Sequence, residues 1–132
     1  MNREIKFRAW DGERMKEVLT LGLNEGFIST PKTVAPIEDF KLMQYTGLKD
    51  KNGKNIYEGD IVCYVTDVVV ENIGGYDRTE PEGSIGSIEF SNGSFWVKGH
   101  ESGFYDYGEQ VFLWSELQVI GNIYENPELL NN

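Results

Sequence analysis

The chain contains few side chains that could act as nucleophiles or metal ligands. His100 is the single histidine and Cys63 the single cysteine, so neither a Ser-His-acid triad nor a zinc site with several nitrogen and sulfur ligands is supported. Cys63 lies in an apolar run, which is typical of a small core residue, and one cysteine cannot form a disulfide within the chain. We therefore expect no catalytic residues, no metal and no cofactor.

Three carboxylates stand close together in the middle of the chain: Asp77, Glu80 and Glu82. The surrounding residues 71–84 include two adjacent glycines, a proline and a single basic residue, and they predict a long exposed acidic loop. The carboxylates could attract a divalent cation, but their spacing lacks the D-x-D-x-D-G order of a calcium loop. Because long loops are often functional, we interpret these residues as candidate contacts for a partner.

A second set of candidate contacts lies in residues 101–109, which are polar and rich in tyrosine. The aromatic members are Phe104, Tyr105 and Tyr107. Aromatic side chains in loops bury a large area at low entropic cost and often form contact surfaces. The alternative is that they pack over an open barrel end. Under both interpretations this segment is predicted to be a loop.

The net charge of −10 is confined to one half of the chain. Residues 1–66 hold ten basic and ten acidic residues, whereas residues 67–132 hold two basic and twelve acidic ones. An acidic surface repels phosphate backbones, so nucleic-acid binding by the second half is disfavoured. The charge then serves either solubility or the steering of a basic partner. Because no export signal or membrane-spanning apolar run is present, we expect a cytoplasmic protein without a membrane partner.

Alternating polarity predicts strands along the first half. Residues 4–10 alternate charged and apolar side chains, and Asp11-Gly12 then predicts a two-residue hairpin turn. Leu19, Leu21 and Leu23 alternate, and Phe27-Ile28 could form a short strand after Glu25-Gly26. The breakers Thr30-Pro31 and Ala35-Pro36 nevertheless predict a long variable loop in this region, followed by one helical turn at residues 36–40. Residues 40–46 predict another strand, and Asn52-Gly53 predicts a type I′ turn with positive φ at both residues.

The second half begins with the turn Glu58-Gly59-Asp60, where Gly59 can adopt a positive φ. The apolar run at residues 61–65 predicts a buried strand, which Val68-Val69-Val70 continues. Residues 84–90 and 94–99 predict a hairpin around Asn92-Gly93.

The end of the chain predicts one more strand and a short helical turn. Residues 119–124 form the strand, in which Gly121 indicates a bulge or a close approach of backbone. Asn126 is placed to cap the turn that Pro127 begins.

Together these elements predict a mainly β fold. Residues 1–54 form an N-terminal β-hairpin layer, and residues 55–132 form an SH3-like small barrel with a short C-terminal helical turn. The two parts are expected to share one core, since no linker-like stretch separates them. Exposed strand edges and the C-terminal tail also allow a homo-oligomer.

Four stretches carry a family resemblance. They are REIKFRAWD at residues 3–11, MQYTGLKDKNGK at 43–54, IYEGDIV at 56–62 and VIGNIYENPELL at 119–130. In combination they resemble the YopX family of bacteriophage and prophage proteins. The resemblance implies a small, β-rich, phage-encoded cytosolic protein with an SH3-like barrel in its second half. It implies no activity and carries over no catalytic residues.

Two functions fit the acidic second half. The first is a non-enzymatic protein-interaction module with an unidentified protein partner, because no nucleophile–base pair or nucleotide motif is present and small barrels often serve as binding scaffolds. The second is an acidic decoy that mimics DNA and competes for a host enzyme, since the whole negative excess lies in residues 67–132.

Two further functions rest on other residues. Single-stranded nucleic acid could bind the basic N-terminal strand and stack on Trp10, although neighbouring acids cancel the charge there. The basic residues concerned are Arg3, Lys6, Arg8 and Arg14. An enzyme could use Glu58 and Asp60, although ordinary turn chemistry explains both. Among the four functions we favour the interaction module.

Overall fold

The mainly β fold is confirmed in a computed structural model, which describes residues 4–99, 103–105 and 116–131. These residues form three antiparallel sheets. In chain order the strands are β1 (Phe7–Trp10), β2 (Met15–Glu17), β3 (Thr20–Gly22), β4 (Phe27–Thr30), β5 (Thr33–Pro36), β6 (Lys41–Lys49), β7 (Asn55–Tyr57), β8 (Asp60–Ile73), β9 (Tyr76–Ser91), β10 (Ser94–Gly99), β11 (Gly103–Tyr105) and β12 (Gln118–Asn122).

The first sheet has the strand order β2-β1-β6-β7. Its first hairpin is confirmed, but the turn is longer than the two residues predicted, because Trp10 pairs with Met15. The Asp11 side chain builds this turn: its Oδ1 accepts the backbone N–H groups of Glu13 at 2.8 Å and Arg14 at 2.7 Å. These hydrogen bonds hold the pKa of Asp11 at about 2.

The second sheet has the order β3-β4-β5 and lies where a long variable loop was predicted. The possible short strand at Phe27-Ile28 is confirmed as part of β4. The long loop was wrong, because the prolines sit at strand ends rather than interrupting strands. Ile28 at the centre of β4 is fully buried, which anchors the sheet. The predicted helical turn is confirmed as a 3-10 turn at Ile37–Asp39.

The third sheet has the order β11-β10-β9-β8-β12 and is curled into half a barrel. It corresponds to the SH3-like barrel predicted from the sequence. Its core is made of branched apolar side chains on the concave face, including Val62, Ile88 and Val97. Ile56 of β7 packs into the same cluster, so the first sheet and the curled sheet are in contact.

The two Asn-Gly turns differ in geometry. Asn92 and Gly93 join paired strands as the predicted hairpin turn, and their φ values of +50° and +82° are those of a type I′ turn. In the Asn52-Gly53 turn only Gly53 has a positive φ, at +82°, so the type I′ prediction was wrong there. The reason is that the side chain of Asp50 shapes this turn, accepting the backbone N–H groups of Asn52 and Lys54.

The strands β8 and β9 extend far beyond their neighbours. Within residues 4–99, 103–105 and 116–131, β12 pairs with β8 only at residues 60–63, and β10 pairs with β9 only at residues 86–91. Residues 65–84 therefore form a two-stranded ribbon, here called the arm, which turns at Gly74-Gly75. The predicted acidic loop at residues 71–84 was wrong. Glycine, proline and charged residues indicate that a segment is exposed, but they do not distinguish a loop from a two-stranded ribbon, because such a ribbon has solvent on both faces.

The C-terminal segment folds back across the curled sheet. The predicted bulge at Gly121 is confirmed by a shift of register between Val119 and Gly121. A Cβ at Gly121 would lie 2.6 Å from Oδ1 of Asn126, so the predicted close approach is present too. The predicted turn is a 3-10 turn at Pro127–Leu130, but Asn126 does not cap it, because its Oδ1 accepts the Asn122 N–H instead.

Candidate functional site

The acidic residues of the arm are distributed over both of its faces. Cross-strand partners in a ribbon share a face, and successive residues alternate between faces. The register pairs Glu71 with Arg78 and Asn72 with Asp77. Glu71 and Arg78 therefore lie on one face, and Asp77 lies on the other.

Arg78 is the one basic residue of the arm. Its Nε lies 2.9 Å from Oε2 of Glu71, and its Nη1 lies 2.7 Å from Oε1 of Glu80. These two hydrogen bonds raise the pKa of Arg78. Because all three side chains are exposed, the ion pairs add little stability, and they partly neutralise that face.

Apolar side chains are exposed between the charges of the arm. Val65, Val69 and Ile73 are each exposed over more than half of their surface, and Tyr76 is 82% exposed. Val70 is exposed as well, at 43%. Isolated apolar residues are common on protein surfaces, but five along one projecting element indicate a contact surface. The arm can therefore offer a partner both negative charge and apolar area.

The structure places five of the six candidate contact residues, and these five lie in two separate regions. Asp77, Glu80 and Glu82 all lie on β9, within the arm. Phe104 and Tyr105 lie on β11, so the loop predicted there was wrong for these two residues. β10 separates β11 from β9, so the two sets do not share neighbouring strands. Tyr107 lies outside the described residues.

The carboxylate of Asp50 joins the first sheet to the curled sheet. Its Oδ1 accepts the backbone N–H groups of Asn52 and Lys54, and its Oδ2 accepts the Val119 N–H at 2.9 Å. Asp50 is only 5% exposed. Burial opposes its ionisation, but the three backbone donors and the nearby charge of Lys54 outweigh burial and lower the pKa of Asp50.

A second buried carboxylate, Asp60, makes the other link between the sheets. Its Oδ1 accepts a 2.8 Å hydrogen bond from Nη2 of Arg8 in β1, and its Oδ2 accepts the Tyr57 N–H at 2.7 Å. Asp60 is 2% exposed, and this burial raises its pKa even though Arg8 acts in the opposite direction. The Arg8 guanidinium also lies 4.6 Å from the centre of the Tyr57 ring, a cation–π contact.

The backbone at Gly59 completes this region, which we call the junction: Arg8, Asp50, Gly59 and Asp60. Gly59 has a φ of +88°, as predicted, and its N–H donates to the Ile88 carbonyl. A Cβ at Gly59 would lie 3.0 Å from the Met43 sulfur. Sequence reasoning missed the roles of Arg8 and Asp50. An Asp before Asn-Gly is a signal for an Asx turn, but nothing local indicates a contact 69 residues away.

Trp10 and Tyr124 form another contact between distant segments. Their ring centroids are 5.8 Å apart and their planes differ by 13°. The Trp10 ring is therefore packed against another aromatic ring within the fold. Arg8 is likewise occupied by Asp60, so two of the residues predicted to grip a single nucleic-acid strand are engaged within the fold.

A groove of about 590 Å³ lies where the first sheet, the curled sheet and the C-terminal turn meet. Met43, Ile88 and Phe90 line it with apolar atoms, and Glu89 and Lys98 form a 3.8 Å ion pair at its side. This volume suits a small ligand. Within residues 4–99, 103–105 and 116–131, no group of three His, Cys, Asp or Glu side chains could hold a metal ion.

The fold and the arm define a small all-β protein with a curled half-barrel and a projecting acidic ribbon. The chain belongs to the YopX family, whose model, described as YopX protein, matches residues 6–131. This confirms the resemblance inferred from the sequence motifs. In the part of the chain that is described, no helix is long and apolar enough to cross a membrane.

A solved structure is similar to this chain over nearly its whole length. The crystal structure of protein EF1440 from Enterococcus faecalis is similar to this chain at 30% sequence identity, with a TM-score of 0.63. The similarity covers 98% of this chain and 99% of that chain. No curated protein sequence matches the chain.

Proposed function

We propose that this chain is a phage- or prophage-encoded, non-enzymatic protein-interaction module whose arm binds a basic surface of a partner protein. The observation that carries the proposal is the arm itself, a ribbon with apolar and acidic side chains exposed side by side. Residues 65–84 contain five acidic residues and one basic one. The family resemblance to phage and prophage proteins supports the proposed origin.

The charge of the arm supports a basic partner. Negative residues steer a positively charged surface during encounter and discriminate against acidic competitors. The exposed apolar side chains, with Tyr76 as the largest, supply the area that gives the complex its lifetime. A partner that offers both positive charge and apolar patches therefore fits the arm best.

The buried carboxylates support a non-enzymatic role. Asp50 and Asp60 have both oxygens engaged by backbone N–H groups or by Arg8. A carboxylate held in this way stabilises the fold and has no free oxygen directed at a substrate. Their function is to position the sheet from which the arm projects.

The alternative functions receive less support. A DNA mimic needs its carboxylates arrayed on one face, whereas Glu80 and Asp77 lie on opposite faces and Arg78 neutralises part of the charge. Single-strand binding would require Arg8 and Trp10 to leave their contacts with Asp60 and Tyr124.

Partner capture from host bacterial cells tests the proposal at two ionic strengths, about 50 mM and about 500 mM NaCl. The test variant carries Glu80→Lys and Glu82→Lys. The matched control carries Glu116→Lys and Glu128→Lys, because these two acids are equally exposed but lie outside the arm.

We expect wild type and the control to retain the same basic protein at low salt and to lose it at high salt. The test variant should not capture it. Equal capture by both variants would contradict the proposal, and so would capture that salt does not weaken.

A further inference from the structure

The arm has two outer strand edges with no strand alongside them among the described residues. β12 covers β8 only as far as Cys63, and β10 covers β9 only from Gly86 onward. Along residues 65–73 and 76–85, the outward-pointing backbone N–H and C=O groups thus have no strand partner in the part of the chain that the structure describes. An exposed edge of this kind can accept an additional strand from another chain.

Proline distinguishes the two edges. Pro81 of β9 lies opposite Asp67 of β8. Because proline has no N–H, it fits a paired strand only where its nitrogen points away from the partner strand. The nitrogen of Pro81 therefore points to the outer edge of β9, and this edge lacks a donor near its middle.

The same geometry shows which groups β8 presents. The direction of backbone hydrogen bonding repeats every second residue in an antiparallel pair. Val65 pairs with Gly83 two positions beyond the Asp67–Pro81 pair, so the N–H and C=O of Val65 point to the outer edge of β8. No proline interrupts this edge between residues 65 and 73, and its first bulge follows Val69.

We infer that the partner contributes an extended segment of alternating basic and apolar residues, which adds as a new strand to the outer edge of β8. This inference rests on the proposed function and specifies how the partner binds. Backbone hydrogen bonds would supply affinity, while exposed Val65 and Val69 would contact the apolar side chains of the added strand. The acidic residues of the arm would pair with its basic side chains.

The charge of the arm argues against a second copy of this chain as the added strand. Each arm carries five acidic residues and one basic residue. Two arms aligned edge to edge would place these negative charges next to each other, which is unfavourable. A basic segment removes this repulsion.

The test uses the full-length protein and a synthetic peptide of eight residues that alternates lysine and valine. A second peptide has the same side chains but carries N-methyl groups on alternate backbone nitrogens. It keeps its charge, but one edge of the extended peptide has no N–H donors and cannot pair with a strand. Fluorescence anisotropy gives the Kd of each peptide. We expect the N-methylated peptide to bind at least about tenfold more weakly.

Two matched protein variants identify the edge that is used. Val65→Pro removes an outward N–H from β8, and Gly83→Pro removes the outward N–H of the residue opposite it on β9. Both leave the hydrogen bonds within the ribbon in place. We expect Val65→Pro to weaken peptide binding at least about tenfold and Gly83→Pro to leave it nearly unchanged. Circular dichroism shows whether each variant remains folded. If Val65→Pro does not fold, a protein with a backbone ester in place of the Val65 amide removes the same N–H and takes its place in the test.

The outcomes separate this inference from the proposed function. Equal binding of both peptides, with loss of binding in the Glu80→Lys, Glu82→Lys variant, would overturn strand addition and leave the interaction module standing. If the unmodified peptide does not bind, or if charge reversal has no effect on its binding, both are contradicted. If the protein dimerises without peptide and Val65→Pro abolishes the dimer, the edge of β8 pairs with a second copy of the chain. That result would also overturn the inference.

Discussion

The junction and the arm use the same side chain, the carboxylate, for opposite purposes. At the junction, Asp50 and Asp60 are almost fully buried and accept hydrogen bonds from donors far away in the sequence. On the arm, Glu71 and Glu80 are exposed and pair with their near neighbour Arg78. Buried carboxylates with fixed donors hold a fold together, whereas exposed ones add little to stability and remain available to a partner.

This difference implies that stability and binding are separable in this protein. Substitutions at the junction should destabilise the fold, and substitutions on the arm should change binding while the fold persists. Matched pairs of substitutions, one in each region, test that separation directly.

The largest expected effect comes from Arg8→Met. It leaves the buried Asp60 carboxylate without its cationic partner, and breaking a buried ion pair in this way costs about 3–5 kcal/mol. Urea denaturation followed by circular dichroism measures the loss in the free energy of unfolding. The same substitution on the arm, Arg78→Met, should leave the urea midpoint nearly unchanged. Similar losses in both variants would remove the distinction between the two regions.

The next effect in size is expected from Asp50→Ala. Three backbone N–H groups would lose their acceptor, and we expect the free energy of unfolding to fall by roughly 3 kcal/mol. Asp77→Ala on the arm is the matched control, because Asp77 accepts one exposed hydrogen bond, from Asn72. If Asp77→Ala were the more damaging change, the arm and not the junction would be holding the fold together.

A smaller effect concerns pH. The pKa of Asp50 is lowered from the ordinary 3.8 in the folded state, so ionised Asp50 stabilises the fold at every pH above that value. This contribution is lost as pH falls through the lowered pKa. We expect the stability difference between wild type and Asp50→Asn to be constant near neutral pH and to shrink below pH 3.8. Urea titrations at stepped pH measure it, and a difference that grows on acidification would show that the sign is wrong.

The smallest change in stability is expected at the tip of the arm. Tyr76 is 82% exposed, so Tyr76→Ser should alter the free energy of unfolding by less than about 0.5 kcal/mol. Binding of the basic peptide should nevertheless weaken, because the largest exposed apolar side chain of the arm is removed. Unchanged affinity would exclude the tip from the contact surface.

Local signals predicted much of this architecture correctly. Asn92-Gly93 forms the predicted hairpin turn, Gly59 has its positive φ, and Gly121 marks a bulge. Each of these features depends on residues that are close in sequence, where turn chemistry is strong.

The failures have a common physical cause. Residues 71–84 of the ribbon have solvent on both faces, so they lack the apolar alternation by which a half-buried strand is recognised. The junction depends on contacts such as Arg8 with Asp60, 52 residues apart, which only the docking of two sheets creates. Asn52-Gly53 departs from type I′ geometry because a buried Asp50 side chain controls its backbone.

The candidate contact residues were predicted by type but not by structural setting. Asp77, Glu80 and Glu82 were correctly placed on an exposed surface, yet they belong to a strand and not a loop. That correction matters for function, because a strand offers backbone hydrogen bonds as well as side chains.

The most direct test of the account is an NMR titration of the isotopically labelled protein with the alternating lysine–valine peptide. We predict that the largest changes in backbone amide chemical shift fall within residues 65–84. The amide chemical shifts of Asp50 and Asp60 should stay unchanged. Shifts concentrated around Met43, Ile88 and Phe90 would instead place binding in the groove and contradict the assignment of the arm as the interaction surface.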